Sequence, residues 1–377
     1  MISLPKQLLR RTALRIQRPD YRKIVSLRFA ITYKCNSRCC TCNIWKRPKT
    51  NSENREKELT LEQIEQVFLS SHYLRGLNII NLDGGETTQR DDFIDLCGFF
   101  IRAYPRAQIN ITTNALDAES TIIKLKEINK KYQPSEFNVY TSLDGIKKTH
   151  DEMRGIVGAY NKVLNFIMRL REQLPSFGRG VTFTITPINY KELFATYKLA
   201  KDLDVDFIPV FAQNSEIYYD NKEKQFNWNE EELKEIGDML DTIRFAGGGS
   251  RRLIPRIFKE IDGAEAYYLA NMLKSVKQCN RLISCFSGTH SLFMDPSGNI
   301  FPCVMLNEAI GNINESDFDE IWISDRAQQV RKLITNANCA CWTPCETFPS
   351  LSRSFKAVLF NLRSKISNRQ NKLLKTN

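Results

Sequence analysis

Histidine is nearly absent: three in 377 residues. Chemistry built on histidine general bases therefore has little to draw on. No Ser-His-Asp order, P-loop or His-Glu-x-x-His zinc helix occurs either. No apolar run approaches the ~20 residues a membrane-spanning helix needs. The basic N-terminus lacks a continuous apolar core and a small-residue cleavage site, so export is not expected and a cytoplasmic location is. Acid is missing from the far end: residues 351–377 hold seven Lys or Arg and no Asp or Glu, while residues 1–23 hold seven against Asp20 alone. The net charge of +11 thus sits at the two ends, and the body is near neutral. A nucleic-acid enzyme would carry a basic stripe across its body, so nucleic acid is not an expected partner.

Cysteine is plentiful but unevenly placed. The eleven cysteines fall into two groups with Cys97 apart, whereas a secreted disulfide scaffold would be shorter and evenly spaced. Clustered thiols in a chain without an export signal suit a reducing compartment and metal binding. Cys97, within a helix-like stretch, reads as a buried core thiol. The first group is Cys35-Asn-Ser-Arg-Cys39-Cys40-Thr-Cys42, a Cys-x-x-x-Cys-x-x-Cys spacing directly after the strand-like Ser26–Tyr33. Cys35, Cys39 and Cys42 can hold three corners of an iron–sulfur cube. A full cubane uses four cysteines, so one iron is left open to a small molecule. Zinc is the alternative, with Cys40 as fourth ligand, although neighbouring residues rarely both reach one tetrahedral ion.

From Leu59 to Phe211 strand-like and helix-like stretches alternate. Helices are expected over Leu59–Leu74, opened by a Thr60/Gln63 capping box, and over Phe93–Ala103, Glu119–Lys130, Tyr160–Leu174 and Lys191–Leu203. Strands are expected over Leu77–Leu82, Gln108–Thr112, Glu136–Leu143, Val181–Ile188 and Val205–Phe211. About six βα units call for a parallel sheet with helices outside, and α/β proteins place their sites at the strand ends. Three motifs stand there. Gly84-Gly85-Glu86 combines close backbone approach with a carboxylate able to accept from an ammonium group. Thr113 and Asn114 could reach a ribose or simply start a helix. Ser142-Leu143-Asp144-Gly145 is followed by His150 and Arg154, whose planar fork suits a carboxylate or a surface ion pair. His150 reads as an orienting residue.

The cysteine loop, Gly84-Gly85-Glu86 and the Ser142–Arg154 stretch together resemble the radical S-adenosylmethionine (radical SAM) enzymes, with Thr41 and Thr87 departing from the usual apolar and proline residues. The second group, Cys279, Cys285, Cys303, Cys339, Cys341 and Cys345, surrounds a hairpin signal at Pro296–Asn299 and Gly311-Asn312, and resembles the SPASM/twitch extension. The resemblance implies an α/β fold: a partial (β/α)6 TIM-like barrel of the radical SAM type, followed by a small cysteine-rich α+β SPASM/twitch domain. The expected divisions are a basic segment 1–23, a core 24–212, a bridging insertion 213–278 with a helix over Asn229–Arg244, a SPASM/twitch unit 279–348 and a basic tail 349–377.

It also implies a [4Fe–4S] cluster on Cys35, Cys39 and Cys42 with SAM on the open iron. Gly84, Gly85 and Glu86 would grip the methionyl amine, while Ser142, Asp144 and Arg154 would lie near its carboxylate and ribose. Six thiols suffice for one auxiliary [4Fe–4S] cluster, expected on Cys285, Cys303, Cys341 and Cys345, with Cys339 or Cys279 as substitutes and zinc as the alternative. The implied activity is cleavage of SAM to a 5′-deoxyadenosyl radical that takes hydrogen from a peptide or small-molecule substrate such as a carbohydrate, with flavodoxin or ferredoxin as electron donor. An iron–sulfur electron-transfer or scaffold protein is the rival. In the tail, Phe355, Val358, Leu359, Leu362 and Ile366 form one apolar stripe, suited to an anionic membrane surface or to the protein's own body.

Overall fold

The computed structural model describes residues 24–47, 58–246, 264–278, 280–336 and 339–351, with 354 and 360. Six strands, β1 (Ser26–Thr32), β2 (Ile79–Gly84), β3 (Gln108–Thr113), β4 (Phe137–Ser142), β5 (Gly178–Ile185) and β6 (Asp206–Phe211), pair in parallel in sequence order. Between them run α1 (Leu61–Ser70), α2 (Phe93–Ala103), α3 (Ala118–Tyr132), α4 (Lys148–Arg154), α5 (Ala159–Gln173) and α6 (Leu193–Asp202). Alternation along each strand divides the faces. Leu27, Phe29, Ile80, Leu82, Ile109 and Ile111 join Phe68, Leu96, Phe100 and Leu125 of the helices in one core, with Cys97 fully buried among them. The opposite face carries Arg28, Asn81, Asn110, Tyr140 and Thr182, which line a cavity.

Thr60 caps α1 as expected: its Oγ1 accepts from the Gln63 N–H at 3.3 Å, and Gln63 Oε1 accepts from the Thr60 N–H at 2.9 Å. The helix stops at Ser70, short of the expected Leu74, because Asp319 accepts from Ser71 Oγ and the His72 N–H. A separate 3-10 turn, Tyr73–Gly76, follows. Strand β5 begins three residues earlier than expected and ends three earlier.

The C-terminal segment extends the same sheet. β7 (Ser291–Met294) pairs in parallel with β1, and β8 (Asn299–Phe301) and β9 (Gly311–Asn312) follow antiparallel, giving the order β6-β5-β4-β3-β2-β1-β7-β8-β9. The expected hairpin turn is present, with Asp295 Oδ1 accepting from the Ser297 and Asn299 N–H groups. At the other edge α7 (Glu230–Phe245) and α8 (Ala264–Gln278) shelter β6, where Tyr268 Oη donates to the Pro209 carbonyl at 3.1 Å. This bond gives one carbonyl of the edge strand a partner. Helices α9 (Phe318–Ile323), α10 (Asp325–Asn336) and α11 (Pro344–Leu351) complete the C-terminal part.

The stretch expected as a bridge does more than connect. Asn43 N–H donates to the Tyr219 carbonyl at 2.8 Å, Asn221 Nδ2 to the Thr41 carbonyl at 2.8 Å, and Ser215 Oγ to the Val304 carbonyl. Residues 215–221 thus tie the cysteine loop to the C-terminal segment. The apolar stripe expected in the basic tail, the basic N-terminal segment and Cys279 lie outside the described residues. Among the described residues no helix is long and apolar enough to cross a membrane.

Candidate radical and iron–sulfur site

The cavity, about 290 Å³, lies at the strand ends, and Cys35, Cys39 and Cys42 all face it. The loop that presents them leaves β1 and is held against the end of α4. The Arg38 and Cys40 N–H groups donate to the Arg154 and Met153 carbonyls, both at 3.0 Å, and Ser37 Oγ donates to the Arg154 carbonyl at 3.1 Å. Cys40 turns away, its Sγ 3.5 Å from Met153 Sδ. Adjacent side chains on this loop therefore point to different neighbours, which removes Cys40 as a fourth ligand. Among the described residues no three His, Cys, Asp or Glu side chains converge on the position of a single ion.

Gly85 fits where nothing larger does. Its N–H donates to the Thr32 carbonyl at 2.8 Å, and a Cβ there would stand 2.1 Å from the Lys34 carbonyl oxygen. Gly84 and Gly85 thus bring bare backbone to the cavity wall beside the cysteine loop. Glu86 is placed behind that wall. Its Oε1 accepts from the Thr88 N–H, Thr88 Oγ1 and Thr113 Oγ1, and its Oε2 accepts from the Asn114 N–H at 2.6 Å. Burial pushes the Glu86 carboxyl up, and these donors pull the other way. The carboxylate locks the β2 and β3 ends together. Asn114 Nδ2 then reaches Asn36 Oδ1 at 2.7 Å and lies 4.0 Å from Cys35 Sγ.

Asp144 and Arg154 form the opposite wall's ion pair, 2.8 Å apart, with 3% and 14% of their side chains exposed. Arg154 Nη1 donates to Cys39 Sγ at 3.2 Å, while Ser142 lines the cavity. Asp144 is itself fixed, because Oδ1 accepts from the Thr184 N–H at 2.7 Å and its N–H donates to His150 Nδ1 at 3.0 Å. Burial pushes the Cys35 and Cys42 thiols up to about 11 and about 12. Thiolates at these positions need nearby positive charge, which iron would supply and Arg154 reinforces.

The His150 geometry carries a pH prediction. Burial, and then the Arg154 charge, lower its pKa from 6.5 to about 4. The folded protein binds this proton less readily than the unfolded chain. The contribution is therefore complete above the unfolded pKa and is lost as pH falls from 6.5 towards about 4. Urea unfolding is expected to show ~2 kcal/mol less stability from this group at about pH 5 than at about pH 7.5. His150→Gln should flatten that slope, and an unchanged slope would count against the assignment.

One member of the second thiol group, Cys345, lines the same cavity. Burial, and then the Glu346 carboxylate, push the Cys285, Cys303 and Cys341 thiols up, and Glu346 is itself buried, accepting from Ser287 and Ser291 Oγ. Cys285 Sγ is 3.2 Å from Ser287 Oγ. Cys345 faces the main cavity and feels the charges of Arg28 and Asp83. Cys339 is exposed and accepts from Arg281 Nη2 at 3.0 Å. Cys345 thus shares the cavity lining with Cys35, Cys39 and Cys42, while Cys285, Cys303 and Cys341 lie close to Glu346.

Sequence reading passed over Arg28, Asp83, Tyr218 and Tyr219, which all line the cavity. A signal was available: Arg28 is the one charge in the strand Ser-Leu-Arg-Phe-Ala-Ile-Thr, and Asp83 the one charge in β2. A charge in a buried strand needs a partner.

Comparison with known proteins agrees with this geometry. The sequence model of the radical SAM superfamily matches residues 29–200, and that of the SPASM iron–sulfur cluster-binding domain matches 285–346. The AdoMet-dependent heme synthase of Methanosarcina barkeri is 26% identical over 312 residues, which is 80% of this chain and 82% of that protein. The Fe-coproporphyrin III synthase of the same organism is 26% identical over 309 residues, 78% of this chain and 72% of that protein. Streptococcus suis SuiB bound to S-adenosylmethionine shares the fold, with a TM-score of 0.58 at 16% identity over 87% of this chain and 72% of that one. The chain thus carries a radical SAM domain, which binds a [4Fe–4S] cluster and SAM, and a C-terminal SPASM domain, which binds auxiliary iron–sulfur.

Proposed function

We propose that this chain cleaves SAM reductively at the Cys35–Cys39–Cys42 wall and directs the radical against a small molecule held in the same cavity. The observation that carries the reading is that three thiols share one cavity wall with the bare Gly84-Gly85 backbone while Cys40 turns away, which would leave one cluster corner free. The bound cluster and SAM supply the electron and a 5′-deoxyadenosyl radical able to abstract hydrogen from a C–H bond. The chain's own residues hold and orient. Gly84 and Gly85 give the methionyl amine close backbone approach, and Ser142, Thr113 and Asn114 line the space for carboxylate and ribose. Glu86, Asp144 and Arg154 position these groups by fixing the β2, β3 and β4 ends and the cysteine loop.

Cys285, Cys303 and Cys341, completed by Cys345, are our assignment for the auxiliary cluster. A small-molecule substrate is favoured over a peptide because the relatives matched along most of their length are named for heme-type synthesis or for GTP cyclisation. A one-electron donor such as flavodoxin or ferredoxin is the required partner. Anaerobically reconstituted protein, reduced with dithionite, is expected to convert SAM to 5′-deoxyadenosine and methionine. Intact SAM would replace this reading with an electron-transfer or scaffold role.

A further inference from the structure

The lining of the cavity holds a cation with an unpaired donor. Arg28 stands on β1 with 17% of its side chain exposed, and it lines the cavity. Its Nη1 donates to Asp83 Oδ2 at 2.6 Å and to Tyr218 Oη at 3.1 Å. Nε is buried without a partner, and no hydrogen bond engages Nη2 among the described residues. Two neighbours fix this orientation. Thr112 Oγ1 donates to Asp83 Oδ1, which keeps the carboxylate on the Nη1 side. Tyr218 packs edge-on against Phe293, with ring centroids 5.5 Å apart, and its loop is tied to the cysteine loop through Tyr219 and Asn43.

A buried ion pair is costly unless its remaining donors are met. Here the unmet donors are the Nε/Nη2 edge, the side of a guanidinium that pairs with a carboxylate through two parallel hydrogen bonds. We infer that Arg28 anchors the substrate and that the substrate carries a carboxylate. The inference rests on the proposed function for the identity of the cavity as the reaction chamber. Anchoring there sets the rest of the molecule between Arg28 and the cysteine wall. Charge alone does not explain the fit, since Arg28 is already balanced by Asp83 and Arg154 by Asp144. The selectivity comes from the two-pronged edge, so lysine cannot replace it.

The test uses holoprotein reconstituted with iron and sulfide and loaded with SAM. It is titrated with benzoate, succinate and citrate, with methyl benzoate as the uncharged control, and binding is read by saturation-transfer NMR. At least one carboxylate is expected to bind the wild type, and methyl benzoate is not. Arg28→Lys should weaken that binding roughly tenfold or more. Arg28→Met combined with Asp83→Asn, which leaves no orphaned carboxylate, should abolish it with iron content retained. Failure of all three carboxylates to bind the wild type, or equal binding by both variants, would overturn the inference. Wild-type SAM cleavage in the same preparation is scored separately: its absence sinks the proposed function, whereas the binding result bears on Arg28 alone.

Discussion

Alanine at Cys35, Cys39 or Cys42 is expected to bring SAM cleavage to background, a loss of about three orders of magnitude or more, equivalent to ~4 kcal/mol or more of barrier. The same variants should lose about four irons per chain, the content of one cubane. Cys40→Ala should retain both cleavage and iron, because its sulfur faces Met153 and not the cavity. This contrast within one eight-residue loop makes the experiment informative. A fold-wide effect of thiol removal would touch all four positions alike, whereas cluster ligation by three predicts one silent neighbour. Neither Cys40 nor the distant group can stand in, since the loop is fixed by three hydrogen bonds to α4. Iron analysis, electron paramagnetic resonance of the reduced protein and quantified 5′-deoxyadenosine would decide it. Full activity in the three variants would end the radical reading.

Much of this site was legible in the chain because its parts are local. The cysteine spacing, the glycine pair and the Ser142–Arg154 stretch are each continuous in sequence at or just after the end of a strand whose period could be read. Roles that depend on strand pairing were not legible. Glu86 looked like a ligand-facing carboxylate, yet its four donors come from Thr88, Thr113 and Asn114, two of which lie on the next βα unit. Arg28, Asp83 and Tyr218 are far apart in sequence and meet only through the sheet and the 215–221 loop.

The fold followed the same rule. β5 was placed late because glycine weakens a strand pattern. Here Gly178 and Gly180 make room for the inward side chains of Asn138 and Tyr140, where added Cβ atoms would stand 1.7 and 2.7 Å from Asn138 Oδ1 and the Tyr140 ring. Nor could the pairing of β7 with β1 be read, since a parallel partner 265 positions away in register (Ser26 with Ser291) leaves no local trace. Helices α8 and α10 were missed for want of clear start and stop signals, although each packs a buried apolar face.

Arg154→Met is expected to destabilise the protein by about 3–5 kcal/mol, the usual result of leaving one member of a buried pair charged and alone. Asp144 would be that orphan: its side chain is 3% exposed and is held in place by Thr184 and His150, so it cannot turn to water. Arg154→Met combined with Asp144→Asn removes the orphan and should recover most of the stability. It should not recover SAM cleavage, because the donor to Cys39 Sγ is still missing and the cysteine wall loses the cation that favours its thiolates. Arg154→Lys should fall between, since it keeps the charge but cannot serve Asp144 and Cys39 through two ends of one planar fork. Thermal unfolding and iron retention measured side by side separate the two roles. If the double variant regains cleavage along with stability, Arg154 serves only to neutralise Asp144. If stability returns while iron and cleavage stay low, its hydrogen bond to Cys39 is part of what holds the cluster.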